Sequence, residues 1–178
     1  MIQRASASQK RLNEFLDTKP VIADQPGAVE LDSIKDISFH NLGFVYPHTG
    51  IRAINNFSLE IKKGEKVAII GRTGSGKSTI AQLLLRMYDP GSGDIRINGT
   101  DLRNIKLSSL RKRISFVPQD VFLFSDTVKN NIRFGADGAT DEEVFTAARQ
   151  AAVDGEIDGF VEGYETMIGE RGVNLSGG

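Results

Sequence analysis

Cysteine is absent from the chain, which excludes disulfides and thiolate metal sites and suits a reducing compartment. Excess charge of either sign is missing too. The formal net charge is −1, which argues against a large basic face and hence against nucleic acid as a partner. No apolar run approaches the roughly 18–20 residues that a membrane-crossing helix needs. A membrane role would therefore have to come through a partner or through further polypeptide. The opening residues, Met1-Ile2-Gln3-Arg4-Ala5-Ser6, have no apolar core and do not read as a signal peptide. Internal repeats and low-complexity tracts are also lacking.

What remains is the composition of one globular domain: 178 residues, 39% hydrophobic and 25% charged. Residues 1–36 read as an arm, with a helix predicted over Ile2–Phe15, Leu12, Phe15 and Leu16 on one side, and a polar linker after Pro20. From residue 37 to 178 strands and helices mix. Ile37–Leu42 and Phe57–Ile61 alternate apolar with polar, as half-buried antiparallel strands do. Val67-Ala68-Ile69-Ile70 is wholly apolar and predicts a strand buried on both faces. A helix is expected from Lys77 to about Met87, a small β element at Asp94–Gly99, a helix at Leu107–Arg113 and a strand at Ile114–Val117. Thr140-Asp141-Glu142-Glu143 has the form of a capping box, followed by an apolar stripe of Val144, Ala147, Ala148 and Ala151. The fold class is α/β.

Between the apolar run and the helix lies Gly71-Arg72-Thr73-Gly74-Ser75-Gly76-Lys77-Ser78, which fits Gly-x-x-x-x-Gly-Lys-Ser/Thr at every fixed position. Chance is a poor explanation, because this composition with its 19 glycines would yield the motif about once in seventy shufflings. Each constraint has a chemical reason. Glycines let backbone N–H groups turn inward around phosphate oxygens, and the helix start aims its positive dipole end at the same place. Lys77 can reach the β- and γ-phosphates, the Ser78 hydroxyl can ligate Mg²⁺, and Thr79 completes the binding stretch. ATP with Mg²⁺ is the ligand expected.

With these motifs stated, the chain from Tyr46 onward resembles the ATP-binding domain of export-type ABC transporters. The resemblance implies a P-loop core with an antiparallel β subdomain. Tyr46, in Val45-Tyr46-Pro47, sits where the family places an aromatic that stacks on adenine. By itself it would read as an ordinary turn tyrosine, and the order of the later motifs reverses that. Tyr46→Phe is accordingly expected to be nearly silent. Gln119, about forty residues beyond the loop, resembles the family's glutamine that reaches Mg²⁺ and the attacking water. Leu175-Ser176-Gly177-Gly178 resembles the signature sequence, so Ser176, Gly177 and Gly178 are expected to contact the γ-phosphate held by a second, head-to-tail nucleotide-binding domain. Phe122–Ile132 is similar to the segment that follows the glutamine in exporters, and Thr166–Gly172 resembles the exporter loop just before the signature, which touches the helices that couple hydrolysis to transport.

The resemblance further implies a transmembrane domain as partner and a place on the cytoplasmic face of a membrane. It assigns Lys77 and Gln119 catalytic parts, and Ser78 and Gln119 to the metal. The family's catalytic Glu and its γ-phosphate-sensing His have no counterpart up to Gly178, because His40 and His48 both precede the phosphate loop. Glu142, Glu143, Asp154, Glu156 and Asp158 read as surface acids. The 178 residues therefore read as part of a larger domain, truncated at the signature, expected to bind ATP without turning it over. A soluble ATPase of DNA repair or translation is the alternative within the same family.

Overall fold

Asp36–Val45 forms strand β1 and Arg52–Lys62 forms β2, both richer in aromatic and branched residues than the turns around them. β1 pairs antiparallel with β2 on one side and with β3, Ser92–Ile97, on the other. A short β4, Thr100–Asp101, completes a sheet of order β2-β1-β3-β4. The turn into β4 is the pair Asn98–Gly99, with φ of 53° and 77°, the left-handed conformations a two-residue hairpin requires. The structure, a computed structural model, describes residues 9, 12–13, 16–17, 20–119, 122–136 and 138–169. It divides into two units, Met1–Phe116 and Val117–Gly178. The helix predicted over Ile2–Phe15 falls largely outside the described residues, although Leu12 and Leu16 are described and exposed.

Strict alternation beyond Phe39 would turn Leu42 to the outer face of the sheet. An extra residue at His40–Asn41 prevents this, so that pairing steps from Phe39↔Leu59 to Leu42↔Phe57. Asn41 takes φ 45° there. Phe39, Leu42 and Phe44 consequently all reach the core. The extra residue crowds β3, where Gly93 has φ 74° and a Cβ would stand 2.6 Å from the Asn41 carbonyl oxygen. Helix α1, Lys77–Leu84, lays Ile80 and Leu83 on this face, with Ile54, Ile95, Ile97 and Leu110 around them.

Helix α1 stops short of the expected Met87 because Arg86 turns left-handed, with φ 50°. The Arg86 guanidinium is nevertheless among the most buried side chains of the unit. It donates to Asp89 Oδ1 and to the Arg103 and Ala23 carbonyls. Arg111, on helix α2 (Leu107–Arg113), covers the carbonyls of Leu85 and Arg86.

Two expected strands are not formed. Val67–Ile70 and Ile114–Val117 join no ladder, and Ile70 and Val117 are 94% and 87% exposed. Their apolar runs have the composition of buried strands, but a strand needs a neighbour for its N–H and C=O groups, and no strand among the described residues pairs with them.

The second unit is helical. It contains α3 (Val128–Arg133), α4 (Asp141–Gln150) and α5 (Asp154–Asp158), around Val128, Ala148, Ile157 and Ile168. The Thr127 hydroxyl accepts from the Asn130 N–H at the start of α3. At α4 the predicted capping box is formed in both directions between Thr140 and Glu143. Of its expected stripe only Val144 and Ala148 are buried. Ala147 and Ala151 are exposed, because the apolar face of so short a helix is one residue wide per turn.

Candidate functional site

The phosphate-type loop is fixed to the sheet by two glycines. Gly74 and Gly76 have φ of 78° and 87°, which side-chain-bearing residues rarely adopt. At Gly76 there is also no room, since a Cβ would overlap the Ala53 carbonyl oxygen and stand 2.8 Å from Ile54 Cδ1. Strand β2 thus runs directly beneath the loop and sets its height. At Gly71 a Cβ would meet Ser75 Oγ at 2.5 Å.

Helix α1 begins at Lys77 with Gly76 as its N-cap, no side-chain cap and no acid in its first turn. The positive end of its dipole is therefore not neutralised locally. The Lys77 ammonium folds back over the loop, donating to the carbonyls of Gly71 (2.9 Å) and Arg72 (2.8 Å), with Ser75 Oγ at 3.5 Å.

A cleft of about 280 Å³ opens here, lined by Tyr46, Ile51, Ala53, Gly74, Ser75, Gly76, Lys77, Ser78 and Thr79. Among the described residues one cation and no carboxylate line it, and its other wall is apolar. This is the chemistry of a ligand with an anionic end and a flat apolar end. Gly71, Arg72 and Thr73 stand outside the lining. Among the described residues no group of three His, Cys, Asp or Glu side chains could hold a metal ion alone. A divalent cation at Ser78 would have to share the oxygens of a bound phosphate, as Mg²⁺ commonly does.

Tyr46 enters the cleft from the end of β1, where its N–H donates to the Ile51 carbonyl and closes a tight loop. Its ring packs edge-on against Phe44, centroids 5.0 Å apart, and against Tyr88 at 5.6 Å. Its hydroxyl lies 2.9 Å from Thr79 Oγ1 and 2.9 Å from Gln82 Oε1. The expectation that Tyr46→Phe is nearly silent meets a hydroxyl that is not idle: removing it leaves the buried Thr79 oxygen and the Gln82 amide without this partner. Thr79 has committed its hydroxyl to Tyr46, which leaves its backbone N–H for a ligand. Gln82 was missed in the sequence. Its signal was faint, a polar residue three positions after Thr79 on the same face of the helix, between Ala81 and Leu83.

Gln119 is exposed, on a bend after Pro118 in the second unit. Ser176, Gly177 and Gly178 fall outside the described residues, as do Glu170–Gly172 of the segment before them. His40 lies on β1 with Nδ1 3.0 Å from Asp94 Oδ1, and His48 is exposed in the turn after it. Glu143 is spent on the capping box, and Asp154, Glu156 and Asp158 lie on α5.

With this geometry in place, three comparisons bear on the chain. The sequence model of the family described as "ABC transporter" matches residues 54–178. The chain is 44% identical to "Heavy metal tolerance factor 1" of Caenorhabditis elegans over 100% of its own length and 22% of that protein. It is 42% identical to the "ATP-dependent lipid A-core flippase" of Syntrophus aciditrophicus (strain SB), over 99% of the chain and 29% of the relative. The "Putative multidrug export ATP-binding/permease protein YgaD" of Bacillus subtilis (strain 168) is likewise 42% identical, over 99% of the chain and 31% of that protein. Among solved structures, one titled "Structure of a bacterial Atm1-family ABC exporter with ATP bound" superposes with a TM-score of 0.91 at 40% identity, covering 99% of this chain and 31% of that one. The chain spans less than a third of the length of each of these relatives.

Proposed function

This chain belongs to the ABC transporter family, in its export-type branch, and from that premise we propose that it holds MgATP in the Tyr46–Thr79 cleft and, within a transporter, couples ATP hydrolysis to export. The observation that carries the reading is the cleft itself: a glycine cradle, one ammonium and no carboxylate on one side, an aromatic ring on the other. The adenine stacks on Tyr46, and the phosphates take the N–H groups of Gly74–Thr79.

Lys77 exchanges its two carbonyl partners for phosphate oxygens, trading neutral acceptors for charged ones. Ser78 would hold Mg²⁺, which when bound would neutralise charge building on the phosphate oxygens. By the family resemblance Gln119 is assigned to the metal and the attacking water, a task its amide oxygen suits because it accepts from water without adding charge. Ser176, Gly177 and Gly178 serve the γ-phosphate held by a second nucleotide-binding domain, and membrane-spanning domains carry the cargo while this domain works at the cytoplasmic face.

Calorimetric titration of MgATP against the chain and its Lys77→Ala variant tests the reading. Losing one charge-assisted contact is expected to weaken binding by roughly 1.5–3 kcal/mol, and equal affinities would sink the proposal.

A further inference from the structure

The Tyr46 hydroxyl carries a single proton and has two partners, which fixes the direction of the chain of bonds. Gln82 Oε1 can only accept, so the tyrosine donates to it at 2.9 Å. The Thr79 hydroxyl, also at 2.9 Å, then donates to the tyrosine oxygen. The run is Thr79 to Tyr46 to Gln82, each bond polarising the next, and Thr79 is only 4% exposed. Both ends of this relay stand on α1, the helix whose first turn faces the cleft. The edge-on packing of Tyr46 against Phe44 and Tyr88 has no comparable direction, since such contacts tolerate tilt and slide. The ring is attached to β1 through its backbone but aligned by α1 through its hydroxyl.

We propose that Gln82 and Thr79 are positioning residues for nucleotide binding: through the Tyr46 hydroxyl they hold the aromatic surface at a set height and tilt above the phosphate loop, so that one relay fixes the spacing between the base site and the phosphate site. The proposal rests on the reading of Tyr46 as the adenine-stacking surface. It explains why the position carries a tyrosine, since a phenylalanine would offer the same face without the alignment. It also explains a polar Gln82 among apolar neighbours.

The test compares two ligands on the full chain, MgATP and magnesium tripolyphosphate, the second having phosphates and no base. Gln82→Ala and Tyr46→Phe should each weaken MgATP by roughly threefold to tenfold, the effect of one ordinary hydrogen bond. The double variant should lose no more than either single one, because both break the same relay. Tripolyphosphate affinity should hold in the Gln82 variants. Gln82→Glu, which keeps an accepting oxygen, should recover most of the MgATP affinity.

Parallel loss of tripolyphosphate in Gln82→Ala would mean general damage to α1 and would overturn the positioning role. Silent Gln82→Ala and Tyr46→Phe beside a Tyr46→Ala that still discriminates against MgATP would overturn the relay while leaving the stacking surface intact. A Tyr46→Ala that weakens both ligands equally, or neither, would instead remove the base site on which the proposal stands.

Discussion

The two units reach order by different means. In the first, a sheet and α1 share a core in which Leu42, Leu83, Ile97 and Leu110 have no measurable exposure. In the second, helices of six, ten and five residues contain or adjoin only five buried apolar side chains among the described residues, Val128, Val144, Ala148, Ile157 and Ile168. Helices that short do not persist alone in water, so what happens at their ends matters. Thr127 and Thr140 cap two of them, and Lys129 with Glu165 and Arg133 with Asp141 add surface ion pairs. Burial holds the first unit and end chemistry holds much of the second. The difference teaches why the glycine loop belongs to the first. Left-handed Gly74 and Gly76 are conformations that surroundings must impose, and a close-packed strand beneath can impose them.

The largest effect expected of this contrast is at Leu83. Replacing it with alanine empties part of a fully packed core and should cost about 2–5 kcal/mol in urea or thermal unfolding. A loss under about 1 kcal/mol would show that the sheet and α1 are not held mainly by burial.

Thr140→Ala probes the other mechanism. It removes one half of the α4 capping box and should cost about 0.5–2 kcal/mol, read most directly as faster amide exchange at Glu142–Val144. Unchanged exchange there would mean that packing, not the cap, fixes the helix start.

Acid should affect both units, and least of the three. Asp101 is held below the usual carboxylate range by the Arg103 side chain, Asp94 by Arg96 and then His40, and Asp126 by the Asn130 amide and the Thr127 N–H. A depressed carboxylate stabilises the fold above its unfolded value of about 3.9. That contribution falls away as the pH drops further toward the folded value, because the unfolded chain takes up protons first. Urea midpoints should therefore decline below about pH 4. A midpoint that rises on acidification would contradict these bonds.

How much of this could be read from the residues depends on how far apart the partners stand in sequence. The glycine loop, helix Leu107–Arg113 and the capping box are set by neighbours within a few positions, and each lies where the pattern puts it. The hydroxyl bonds of Tyr46 span 33 and 36 positions, and those of the Arg86 guanidinium reach Ala23 and Arg103, so no local pattern announces either. Val67–Ile70 failed for the complementary reason. An apolar run states that a segment suits a sheet interior but cannot supply the neighbouring strand that makes it one.

The spare residue at His40–Asn41 also has a consequence for descent. While it is present, any side chain at position 93 meets the carbonyls of His40 and Asn41, so a lineage keeping the bulge is confined to glycine there. Losing Asn41 by deletion would leave Phe39 and Leu42 on the same face, now at ordinary spacing. The strand can thus shed its extra residue without turning these core side chains outward, but the next strand cannot exchange its glycine while that residue stays.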